Sequence, residues 1–186
     1  WLEEQGLKVL VMDPKTIDGI MNNIMQVGKL TGNEDLTIRK ISDLEDRIDY
    51  ITDRTSVLTE GQKPRILHVT WHDPLWTVGT DNFLNMVIGM AGGTNIFADT
   101  SGDVQVDIEL AVTRNPQVIT VVSGHGAAMR SSYDYVVAAD SPFAETDAYI
   151  NDNVFLINAD MASRSGPRVV EALELFAKFI HPEIFP

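Results

Sequence analysis

Six side chains in three short stretches carry the groups that could bind or transform something. They are Trp71, His72, Asp73 and Trp76 in the first stretch, His125 in the second and Arg164 in the third. The indoles offer broad apolar faces with one N–H each, the imidazoles and the carboxylate offer proton-transfer or metal-ligating atoms, and the guanidinium offers a planar fork for an anion. Gathered on one rim, such a set suits a large ligand that is partly apolar and partly anionic. A metal role for His72 with Asp73 is weakened by their adjacency, because neighbouring residues rarely chelate one ion together. Plainer duties exist for each. Trp71 closes a strand and could be core, His125 between Gly124 and Gly126 could be a turn residue, and Arg164 could serve carbonyl groups or Asp160. Trp76 follows Pro74 in a loop and reads as exposed. His68 alternates with Leu67 and Val69 and reads as a sheet histidine, and His181 as a solvated helix terminus.

The elements that must position these residues follow from periodicity. Residues 65–71 are rich in β-branched and aromatic types and predict a strand, with residues 72–79 as its loop. Thr80 or Asp81 then caps a helix carrying Phe83, Leu84, Val87, Ile88 and Ala91, which stops at Gly92-Gly93. Residues 95–97 read as a short extended piece, and Asp107 as the cap of a brief helix broken at Asn115-Pro116. The unbroken apolar run 118–122 predicts a strand covered on both faces. A helix is expected within 129–138, irregular chain over 141–152 and a last strand at 153–157. Pro167 then opens a final helix whose stripe is Val169, Val170, Leu173, Phe176, Ala177 and Ile180. Strands alternating with helices imply an α/β fold, a layered and mostly parallel sheet. In such a sheet ligands bind beyond the carboxyl ends of the strands, which is where the three stretches fall.

Before this lobe, residues 8–13 read as a buried strand ended by Asp13-Pro14, and Ile17, Ile20, Met21, Ile24, Val27 and Leu30 as an amphipathic helix closed by Gly32. Residues 33–58 contain no Pro or Gly, and Ile41, Leu44, Ile48, Ile51 and Leu58, with Thr55 keeping the rhythm, recur at steps of three and four. This spacing predicts one charged helix of about 25 residues, about 37 Å long. Its narrow seam suggests a strut between two bodies, one that could be broken at Ile48 while residues 63–186 stay folded. The expected division is therefore residues 1–32 as the remnant of a first lobe, 33–60 as an interlobe helix and 61–186 as a ligand-binding lobe. The opening Trp1-Leu2-Glu3-Glu4 has neither an initiator Met nor the form of a signal peptide, so a fragment is expected, with any targeting segment upstream.

Fourteen basic residues face 27 acidic ones, for a net charge of −13. Nucleic acid and anionic membrane surfaces are thereby disfavoured as partners. Cysteine is absent, which removes disulfides, thiol nucleophiles and thiolate metal sites. There is no phosphate-binding glycine loop, no nucleophile elbow and no His-Glu-x-x-His, and Ser123-Gly124-His125 lacks a third orienting group. No cofactor is expected.

Six strings in order carry a resemblance. They are Val11-Met12-Asp13-Pro14, Val27-Gly28-Lys29-Leu30-Thr31-Gly32, Lys63-Pro64-Arg65-Ile66-Leu67, Met90-Ala91-Gly92-Gly93-Thr94-Asn95-Ile96-Phe97, Asn115-Pro116-Gln117-Val118-Ile119 and Ser163-Arg164-Ser165-Gly166-Pro167-Arg168. Over essentially its whole length the chain resembles the substrate-binding proteins of ABC importers for iron complexes and vitamin B12. The resemblance implies the class III arrangement of two α/β lobes bridged by a rigid helix, of which this chain would be the C-terminal part. It implies a non-enzymatic protein that captures a ferric siderophore, haem or corrinoid and delivers it to a permease. It also implies an extracytoplasmic location, periplasmic or anchored to the surface by a lipid on a segment upstream of Trp1. The loop from Trp71 to Trp76 and the segment around Arg164 would face the ligand. An acidic residue at the start of the next helix would dock on transporter arginines; the matching position is Asp81, where Glu is usual, and whose plainer duty is an N-cap. The alternative from another class is a metal-dependent enzyme or chelatase-like domain using His72, Asp73 and His125.

Overall fold

The parallel pairings that give the molecule its shape are visible in a computed structural model, which describes residues 1–186 except 13, 15, 124–129 and 165, and only the backbone of residue 163. Two helices lead, α1 (Ile17–Leu30) and α2 (Glu34–Thr55). The lobe follows as β1 (Arg65–Val69), β2 (Trp71–His72), β3 (Leu75–Val78), α3 (Phe83–Met90), β4 (Thr94–Asn95), β5 (Asp103–Gln105) and α4 (Ile108–Thr113). It closes with β6 (Val118–Val122), α5 (Ser131–Val136), α6 (Asp147–Ile150), β7 (Val154–Ile157), α7 (Ala159–Ser163) and α8 (Val169–Ile180). A parallel sheet runs in the order β4-β1-β6-β7, and a small antiparallel sheet runs β2-β3-β5.

The main sheet is covered on both faces, as the run 118–122 predicts. Ile66, Val118 and Ile157 face one apolar cluster with α1, α2, α3 and α8, while Leu67, Val69, Ile119, Val121 and Val154 face a second with Ala111, Val136 and Phe143. Every residue of the stripe expected on α8 is buried. Its N-cap is Arg168, so Pro167 stands just before the helix and not as its first residue.

Helix α2 is 22 residues long and starts after Asn33, close to the expected bounds. Its seam of Leu44, Ile48 and Ile51 belongs to the same cluster as Leu173 and Phe176 of α8. Arg47 donates Nε and Nη2 to the two carboxylate oxygens of Glu174, each at 2.8 Å, and Thr55 Oγ1 donates to the Met90 carbonyl at 2.7 Å. The helix is therefore seated along the lobe. Helix α1 ends in a Schellman motif: Gly32 has φ +69°, its N–H donates to the Lys29 carbonyl and that of Asn33 to the Gly28 carbonyl. A Cβ at Gly28 would lie 2.2 Å from Thr37 Oγ1 of α2, so only glycine admits this approach. Gly28→Ala is expected to lower stability by about 1–3 kcal/mol, measured as the urea midpoint; an unchanged midpoint would mean the two helices can part without loss.

Two further expectations are corrected. Among the described residues, 8–12 pair with no strand and lie exposed, because a strand needs a neighbour to take its backbone bonds and none is offered there. His181 is buried, not solvated: Nδ1 meets Glu183 at 3.0 Å and Nε2 meets the Gly92 carbonyl at 3.1 Å. Among the described residues no helix is long and apolar enough to cross a membrane.

Candidate ligand-binding edge

Sheet order sets the site. Because β1, β6 and β7 are parallel neighbours, their carboxyl ends lie side by side, and the chain leaving each is the segment that holds the candidate residues. After β1 the chain does not form a plain loop. It turns at Asp73-Pro74, a cis peptide, into the hairpin β2-β3, fastened back by Thr70 N–H donating to the Trp76 carbonyl at 2.9 Å.

In that hairpin Trp71 stands directly opposite Trp76, and His72 opposite Leu75. Opposite residues of an antiparallel pair share a face. The two indoles therefore stand together on one face, 41% and 37% exposed, and Trp71 Nε1 donates to the Asp73 carbonyl at 2.8 Å. Trp71 is thus not core. His72 and Leu75 take the other face, against α5: His72 Nδ1 lies 2.9 Å from Ser132 Oγ, and its ring is 4.9 Å from that of Tyr135. A groove of about 400 Å³ on this side is lined by His72, Asp73, Asp107 and Tyr135.

At the end of β7, Asn158 caps α7 by accepting from Asp160 N–H, and Ala159 N–H donates to Ser123 Oγ at the end of β6. Arg164 leaves α7 68% exposed, with Nη2 3.0 Å from Asp160, which Arg168 also approaches at 3.8 Å. His125 lies outside the described residues. Among those described, no group of three or more His, Asp or Glu is gathered to hold a metal ion.

The cleft beside this edge holds about 390 Å³ and opens between the ends of β1 and β6, the start of α3 and Ala162 of α7. Its walls include His68, Thr70, Asp81, Phe83, Asp103 and Val122. Of the described residues singled out from sequence as ligand-facing or docking, only Asp81 lines it. The N-cap of α3 is Asn82, whose Oδ1 accepts from Leu84 N–H at 2.8 Å while its Nδ2 donates to Asp103 Oδ1 at 2.8 Å. This corrects the capping assigned to Thr80 or Asp81; the Asp81 carboxylate instead accepts from Ser101 Oγ.

His68 and Asp103 were not legible as site residues. His68 is fully buried on β1, and burial without a compensating charge lowers its pKa to about 4, so the ring is neutral near pH 7. Nδ1 lies 2.8 Å from Thr120 Oγ1 across the β1–β6 pairing, and Nε2 has no partner among the described residues. A usable signal existed: His68 and Thr70 share one face at the carboxyl end of a strand, the side on which open parallel sheets bind.

A family model described as periplasmic binding protein matches residues 2–161. An ABC transporter substrate-binding lipoprotein of Bacillus subtilis is 25% identical over 186 residues, covering 99% of this chain and 57% of that protein. A cobalamin-binding protein of Halobacterium salinarum is 30% identical over 185 residues, covering 97% and 49%. The crystal structure of the periplasmic vitamin B12 binding protein of Vibrio cholerae superimposes with a TM-score of 0.75 at 26% identity, covering 97% of this chain and 68% of that one. The chain thus spans about half the length of these two curated relatives.

Proposed function

This chain belongs to the periplasmic binding protein family, and from that premise we propose that it is the ligand-capturing C-terminal part of an ABC importer's substrate-binding component. It takes up a metal chelate of the corrinoid, haem or ferric-siderophore kind, outside the cytoplasm, and hands it to a permease without covalent chemistry. The observation that carries this reading is the paired, exposed Trp71 and Trp76 at the carboxyl edge of a parallel sheet, beside an open cleft. Flat macrocycles and chelates are held by such indole faces, with Arg164 supplying charge-assisted bonds at the rim. The relatives' names, cobalamin-binding and ABC transporter substrate-binding, support the same class.

Residues 1–32 are read as the end of a preceding lobe, and α2 as the helix joining it to residues 61–186. The exposed apolar side chains Leu10, Val11, Val27 and Leu30 support a further body packed on that side. The name of the Bacillus relative, a lipoprotein, supports attachment through a lipid.

Trp76→Ala is expected to weaken binding of the captured chelate about tenfold, the effect of about 1.4 kcal/mol of lost stacking. Titration followed by the quenching of Trp71 checks this, and an unchanged affinity would remove the indole pair from the site. Asp81 stands where docking and ligand contact compete for one carboxylate. If it docks on the permease, Asp81→Asn lowers uptake and leaves affinity alone; if it serves the cleft, affinity changes.

A further inference from the structure

The hairpin that presents the indole pair is only weakly secured by its own backbone. Strand β2 is two residues long and stands at the edge of its sheet, so among the described residues it pairs with β3 alone, whereas β3 has β2 on one side and β5 on the other. Short two-stranded ribbons hold themselves poorly in water. The exposed indole of Trp71, borne by β2, would then wander, and ordering it on binding would lower affinity. Trp71 Nε1 donates to the Asp73 carbonyl, but Asp73 belongs to the same hairpin, so that bond moves with it. The side chain of His72 ties β2 to the body of the lobe. Its Nδ1 lies 2.9 Å from Ser132 Oγ, and its ring stands 4.7 Å from that of Trp71 and 4.9 Å from that of Tyr135. Ser132 and Tyr135 belong to α5, which is itself firmly seated: Ser132 is buried, and Val136, one turn on, joins Ile119 and Val121 of β6 in an apolar cluster. An apolar side chain would also suit this face of the hairpin, which His72 shares with buried Leu75; a bond to a fixed hydroxyl adds orientation.

We propose that His72 is a positioning residue of the capture site: bonded to Ser132 and stacked between Trp71 and Tyr135, it fixes the Trp71 indole in its binding orientation and touches no ligand itself. Adjacent residues thereby take separate duties. Trp71 meets the ligand on one face of the hairpin, and His72 grips α5 on the other. Ser132 then controls affinity from a buried position, without contact with the ligand. The free protein holds the indole ready, so less freedom is lost when the ligand arrives. This inference rests on the capture reading above and deepens it, because it adds α5 to the parts on which affinity depends.

The test uses the whole expressed gene product and three probes, cyanocobalamin, haemin and ferrichrome, with urea midpoints measured beside the affinities. Ser132→Ala and His72→Leu should each weaken the probe that binds by about threefold to tenfold, the effect of leaving one large side chain to be ordered on binding. The double variant His72→Leu/Ser132→Ala should bind no more weakly than either single one, because all three lack the same bond. Its urea midpoint should nonetheless return toward the parent's, since no buried polar group is left without its partner. His72→Asn, whose amide keeps a donor and an acceptor near Nδ1, should recover part of the affinity. In ligand-free Trp1→Phe/Trp76→Phe protein, where Trp71 is the one indole left, both single variants should lower the fluorescence anisotropy. Loss of affinity in His72→Leu with none in Ser132→Ala would show that His72 meets the ligand directly, which overturns the positioning role. Affinity and midpoint that fall and recover together would show a merely structural bond and overturn it too, as would an unchanged affinity in both single variants or an unchanged anisotropy. Each of these leaves the capture function standing. Binding of none of the three probes by the folded parent would defeat the capture reading and this inference with it.

Discussion

Replacing Ile48 with proline is expected to cost about 5 kcal/mol or more: about 3 for the lost backbone bond and ring clash, and at least about 2 for the vacated core position. Against the roughly 5–15 kcal/mol that holds an ordinary domain, such a loss spreads beyond the helix. The reason is packing. Ile48 sits between Leu44 and Ile51 in the same apolar cluster as Val87 of α3 and Leu173 and Phe176 of α8, and Arg47, its neighbour, is locked to Glu174. From its charge and narrow seam the helix reads as a rod that could be snapped with residues 63–186 left intact, but the seam is continuous with the lobe's core. Urea unfolding followed by tryptophan fluorescence of the lobe checks this, with exposed Glu45→Ala of the same helix as the control, expected within about 0.5 kcal/mol of the parent. A lobe midpoint untouched by Ile48→Pro would restore the free-standing rod.

The second large effect is acid sensitivity from His68. Its pKa in the folded chain is lowered to about 4 by burial, below the value near 6.5 of an exposed imidazole. Between these values the unfolded chain binds a proton and the folded chain does not, so stability is complete above about pH 6.5 and falls as the pH drops. The slope approaches 1.4 kcal/mol per pH unit and the total is about 3 kcal/mol, with no further loss from this group below about pH 4. Asp99, held below the usual carboxylate range by the hydrogen bond from Arg114, titrates beneath that window and is separable from it. Urea midpoints from about pH 8 to pH 4 should show the loss in the parent and its removal in His68→Leu. Parallel curves would show that the ring protonates in place.

Helices were legible where one face is buried by long-range packing that local spacing already encodes. The seam of α2 and the stripe of α8 need only a period of 3.6 to be seen, and the apolar run of β6 only the absence of polar residues. The hairpin of β2 and β3 was not legible, although Leu75, Trp76, Thr77 and Val78 are all good strand formers. Its first strand is two residues long, and its third partner, β5, lies some thirty residues on, so pairing and not propensity decides it. That hairpin changes the site. It turns Trp71 and Trp76 to one face and His72 to the other, with the neighbouring Trp71 and His72 rings still 4.7 Å apart, whereas a loop reading gives all three one side. The burial of His181 is not legible locally, because its Nε2 meets the carbonyl of Gly92, a glycine at φ +83° that nothing near His181 in sequence announces. The cleft is not legible for a related reason: His68, Asp81 and Asp103 come from three segments that only the fold brings together.

The measurement that bears most directly on capture is an equilibrium titration of the whole gene product with a cobalamin, haem and a ferric hydroxamate, each followed by tryptophan quenching and checked by dialysis. The account predicts saturable, one-to-one binding of at least one chelate, with the quench reduced in Trp76→Ala. No saturable binding of any of the three by folded protein would contradict it.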